Sequence, residues 1–126
     1  MKIKFFNPES LDKNLKATIH KSGKMGFTIE ASAKMGLSND TSLSIGMDED
    51  NAEDRNLYAV VNKTKQKDAF AVLKAGDYYY VNTKPLFNNL KFDYLKNSIS
   101  FEITEDEIEG MKMFIFKIKE KERISK

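Results

Sequence analysis

The residues of this chain best suited to contacting another molecule are six lysines and a run of three tyrosines. The lysines are Lys16, Lys21, Lys24, Lys34, Lys74 and Lys84, and the tyrosines are Tyr78, Tyr79 and Tyr80. Ammonium groups gathered on one face neutralise phosphates and release counterions, so binding of that kind weakens with salt. Scattered, the same lysines only keep a small domain in solution, and both readings are open at this level. Along a strand, successive side chains point to opposite faces, so Tyr78 and Tyr80 share one face and Tyr79 takes the other. Exposed rings beside lysines stack unpaired bases; buried, they supply core and bring their hydroxyls to the surface.

Other chemistries find no footing. His20 is the only histidine and there is no cysteine, so transition-metal sites of the usual ligand sets are not expected. Ser22, Ser32 and Ser42 lack the sharp strand-to-helix setting of a nucleophile. No Gly-rich phosphate loop is present. The acidic stretches, Asp48 to Asp54 and Glu105 to Glu109, lack the central glycine and spaced glutamate of a helical calcium loop. They read as solvated hairpin tips. The expectation is a protein that is not an enzyme and uses no cofactor or metal.

The elements that must position these residues repeat. A shift of 53 residues places Lys21 over Lys74, Gly23 over Gly76, and Met25-Gly26-Phe27 over the three tyrosines. After a three-residue insertion, Leu43 and Ile45 fall on Ile99 and Phe101, and residues 57–61 on 113–117. Apolar positions, turn glycines and element lengths agree, as expected of an internal repeat. Each half reads as strand (17–21; 69–73), glycine turn, strand (25–29; 78–82), short helix (30–36; 84–90) and a hairpin (41–47 with 56–62; 97–103 with 112–118). Alternation puts Phe101 with Ile103, and Phe114 with Phe116, on common faces. Gly36 marks the end of the first helix, while Thr83 and Pro85 mark the start of the second.

The expected fold is mainly β with short helices, two β-β-α-β-β repeats (15–62 and 69–118) joined by a polar linker (63–68). One half has too little apolar face to fold alone, so residues 1–126 read as one domain with pseudo-twofold symmetry. Segments 1–14 and 119–126 flank it. The length of 126 residues, with 40% hydrophobic and 32% charged, suits one soluble domain. No apolar run reaches the roughly 20 residues of a membrane span, so the expectation is a cytoplasmic protein with no membrane partner.

The net charge of +2 hides a polarity. Residues 1–34 hold seven lysines against three acids, and residues 63–100 again hold seven against three. Residues 35–62 hold one arginine against six acids, and residues 101–126 six basic residues against seven acids. Nucleic acid, if bound, should avoid the acidic hairpin tips.

The run Gly23-Lys24-Met25-Gly26-Phe27-Thr28, followed by a helix, Met35-Gly36-Leu37 and the alternating stretch from Ser38 to Ile45, resembles the AbrB/MazE/SpoVT-type swapped-hairpin domain. The second copy follows the outline more loosely. The resemblance spans roughly residues 15–118 and implies a small interleaved β-barrel formed within one chain. The duplication, with the symmetric partner already in the chain, suits a monomer holding an intramolecular pseudo-dimer and leaves the oligomeric state open. It also implies DNA binding of a regulatory kind, with Lys24 at the basic position after the turn glycine. The chain departs from the pattern at Ser32 and Ala33, where family members often carry arginines, and at Asp77, where Lys24 would recur. Two functions follow, with DNA or another protein as partner. One is a DNA-binding module contacting phosphates through the six lysines, with Tyr78 and Tyr80 available for stacking. The other is an antitoxin-like interaction module that has lost DNA contacts.

Overall fold

The computed structural model describes residues 1–6 and 14–123. Residues 7–13 and 124–126 of the flanking segments lie outside the described residues. In chain order the elements are β1 (Lys16–Ile19), β2 (Met25–Phe27), α1 (Ile29–Met35), β3 (Ser42–Gly46), β4 (Leu57–Asn62), β5 (Phe70–Ala75), β6 (Tyr78–Val81), α2 (Lys84–Asn89), β7 (Asn97–Ile108) and β8 (Met111–Glu122).

Alternation along these strands drives closure. Ala17 and Ile19, Met25 and Phe27, and Ile99, Phe101 and Ile103 all point inward and are buried, while their neighbours face out. A curved sheet with one apolar face covers that face by closing on itself, which also removes exposed edges. The result is a closed antiparallel barrel in the order β1-β2-β6-β5-β3-β4-β8-β7. Its axis is filled by aromatic rings. Phe101 lies 6.0 Å from Phe116 and 6.3 Å from Phe87, and Phe27 meets Phe116 edge-on at 6.1 Å.

Since β2 and β6 run antiparallel, the helices that follow them leave from opposite ends of that pair. The hydroxyl of Thr28 caps α1 by accepting from the Ala31 amide at 3.2 Å, and Gly36 ends it at φ 70°. The left-handed backbone at Gly36 is the usual glycine stop. Helix α1 buries Ala31 and Met35, and α2 buries Phe87.

Two local expectations need revision. The second hairpin continues well past residue 103, to a turn at Glu109 (φ 52°) and Gly110 (φ 77°). Positive φ at both turn residues matches the twist of the flanking strands. The acidic residues 105–107 are therefore paired strand, held by cross-strand Glu105–Lys112 and Glu102–Lys119 ion pairs. Thr83 precedes α2, but its side chain does not cap the helix. Buried, it donates to the carbonyl oxygen of Gly23 at 2.9 Å and ties the β1–β2 turn to the start of α2.

Candidate nucleic-acid interface

The outer faces of β1, β2 and β6 form an open groove of about 540 Å³, with β5 at its border. Its floor is Gly26, which has no Cβ. A Cβ there would stand 2.7 Å from Nε2 of His20, so only glycine lets the imidazole lie across the strand. Thr18 and Thr28 continue the floor, and Tyr78 and Tyr80 face the groove from β6, with Tyr79 at its border. Tyr78 is 58% exposed; Tyr80 is half-buried and pairs with Gly26 across β2–β6. Lys24 stands over the Tyr80 ring, its Nζ 5.0 Å from the centroid. A contact of that kind contributes about 0.5–1 kcal/mol when exposed and holds the ammonium near the ring. Tyr79 turns toward the barrel interior and packs on the core, with Lys74 Nζ 5.7 Å from its ring centroid.

The six lysines divide into three groups. Lys21 and Lys24 lie in and beside the β1–β2 turn, and Lys84 joins them there. The Lys84 Cβ would sit 2.6 Å from a Cβ built on Gly23, so turn and helix start are in close contact. Lys74 lies beside the β5–β6 turn, at the opposite end of the β2–β6 pair. Lys16 and Lys34 face acids. Lys16 is directly opposite Glu102 in the β1–β7 register, and Lys34 Nζ is 3.2 Å from Glu105 Oε2. Hydrogen bonds from Lys112 and Lys34 hold the Glu105 carboxyl below the usual range, and Lys119 does so for Glu102. These carboxylates stay ionised and offset the positive charge beside them. The arginines are engaged elsewhere, Arg55 with Glu120 at 2.7 Å and Arg123 with the Tyr94 carbonyl at 3.1 Å.

His20, Thr18 and Gly26 were missed as site residues when read from sequence. The available signal was Gly26 inside a strand, a common mark of close approach by another group. Phe87, on α2, is fully buried. In the acidic loop Asp48, Asn51 and Asp54 accept from the loop's own amides at 2.8–3.3 Å. Among the described residues no group of three or more His, Asp or Glu side chains is placed to hold a metal ion, and no helix is long and apolar enough to cross a membrane. No family model, curated protein or solved structure matches this chain.

Proposed function

We propose that this chain is a non-enzymatic, regulatory DNA-binding module, a swapped-hairpin barrel duplicated within one cytoplasmic polypeptide. In this reading Lys21, Lys24 and Lys84 contact phosphates, and Tyr78 and Tyr80 offer rings to any base that leaves the stack. The observation that carries it is the turn of β1–β2, which packs on Lys84 through Gly23 and sends Ser22 and Lys24 into the lining of the tyrosine groove. Positive charge beside accessible rings on one surface is a pairing that suits nucleic acid.

Duplication is supported by the strand order. Exchanging β1–β4 with β5–β8 leaves the cyclic order unchanged when it is read in the opposite direction. The equivalent turn glycines, Gly23 and Gly76, both have positive φ, at 87° and 62°. The pairs β1–β2 and β3–β4 alternate with β6–β5 and β8–β7 around the barrel, an order that supports the interleaved reading. Lysines on the turns, rather than arginines on the helix, favour phosphate contacts over base-edge readout.

Fluorescence anisotropy with a random-sequence duplex, titrated from low to physiological salt, tests this directly. Three phosphate contacts give a slope of log K against log salt of about −3. Lys24→Glu should lower affinity and flatten that slope by about 1. Absence of binding at low salt would remove the basis of the proposal.

A further inference from the structure

The opposite wall of the barrel carries a second groove with different chemistry. The outer faces of β3, β4 and β8 enclose about 680 Å³ between the β3–β4 loop and the β7–β8 turn. Ile45, Met47, Val60, Ile108 and Met113 give it apolar walls, and Asp48, Glu49, Asp50 and Glu109 stand around it. Among the described residues, none of those four acids forms an ion pair. The chain also holds a segment of complementary character. Residues 1–6 have no regular secondary structure, and Ile3, Phe5 and Phe6 are 66%, 87% and 71% exposed. When extended, this segment puts Met1, Ile3 and Phe5 on one side and Lys2 and Lys4 on the other. At about 3.3 Å per residue it spans roughly 20 Å.

We propose that this groove receives residues 1–6 of a second copy of the chain, in reciprocal exchange. Apolar side chains of the segment cover Val60, Ile108 and Met113, while the long side chains of Lys2 and Lys4, on its outer side, bend back to the acids of the flanking loop and turn. Charge complementarity selects this occupant, with two lysines set against four unpaired carboxylates. The barrel is closed and offers no strand edge, so the contact is made by side chains. Each buried phenylalanine brings about 150–250 Å². Two exchanged segments, with the surface they cover, reach the roughly 1,200–2,000 Å² of a specific interface. In the single chain the segment stands exposed, and a twofold exchange satisfies both grooves at once. This inference is independent of DNA binding and uses the other wall.

Sedimentation velocity of the full chain over a micromolar range tests it. A dimer is expected, weakened at least about tenfold by Lys2→Glu with Lys4→Glu, and equally by Asp48→Lys with Asp50→Lys. Combining the two pairs should restore it. The lysine pair lies outside the barrel, so its variant keeps the fold, which circular dichroism checks. A monomer at every concentration would overturn the proposal, including one whose segment is protected within its own chain. A dimer indifferent to both charge reversals would also overturn it.

Discussion

The two walls of the barrel are built alike and equipped differently. One is β1-β2-β6-β5 and the other β3-β4-β8-β7. In each, a central antiparallel pair, β2–β6 or β4–β8, joins strands from the two halves of the chain. The first wall presents tyrosine rings, His20 and Lys24 around a glycine floor. The second presents aliphatic and methionine side chains among four acids. Inward-facing residues specify a barrel, and outward-facing residues are free to vary. One interior can therefore support two surfaces of opposite charge, and fold alone does not decide function.

The largest expected effect removes both walls together. Phe101 is buried and touches Phe87 and Phe116, so Phe101→Ala should cost about 3–5 kcal/mol in urea unfolding. Gly23→Ala strikes the lysine side alone. It combines a φ of 87° with a clash against Lys84, and should cost about 2 kcal/mol or more. Its effect on DNA affinity should exceed its effect on self-association.

Surface changes then separate the walls without disturbing the fold. Lys24→Glu should reduce DNA affinity roughly tenfold at low salt, whereas Lys34→Ala, already beside Glu105, should change it little. Anisotropy at one fixed salt compares the two.

Tyr58 reports on the acidic wall. Its hydroxyl donates to Asp54 at 2.7 Å, and that hydrogen bond first, then burial and the charges of Asp54 and Asp48, pushes its pKa up to about 12. Because the folded value is raised, the stabilisation is present below the ordinary tyrosine pKa of about 10. It is lost as pH rises through about 12. Phenolate absorbance should show Asp54→Asn moving this titration to lower pH.

The smallest effect concerns Glu120, which joins Arg55 at 2.7 Å and accepts from Asn97 at 3.0 Å. Arg55 holds its carboxyl below the usual range. The pair is partly exposed, so Arg55→Ala should cost under about 1 kcal/mol. That contribution is present above the unfolded pKa of about 4.3 and lost as pH falls through the lowered folded value. Unfolding at pH 7 and pH 3 would check it.

Much of the barrel was legible because its strands alternate. Phe101, Ile103, Phe114 and Phe116 announced β7 and β8, and Gly36 announced the end of α1. The extension of that hairpin was not legible. From Glu105 to Glu107 neither face is buried, so the apolar period of two disappears while pairing continues. Long-range pairings were hidden for the same reason that the ion pair of Lys34 was. Its partner Glu105 comes from another hairpin, and local spacing does not reveal such meetings. Tyr78 and Tyr80 were readable as a shared face. His20 became a groove residue only through the missing Cβ of Gly26.

Amide chemical shifts during titration with duplex DNA distinguish the walls most directly. Perturbations should concentrate at residues 20–26 and 78–84 and leave residues 44–50 and 108–113 unmoved. Shifts centred on the second set, or spread evenly over both, would contradict the assignment of DNA to the lysine and tyrosine wall.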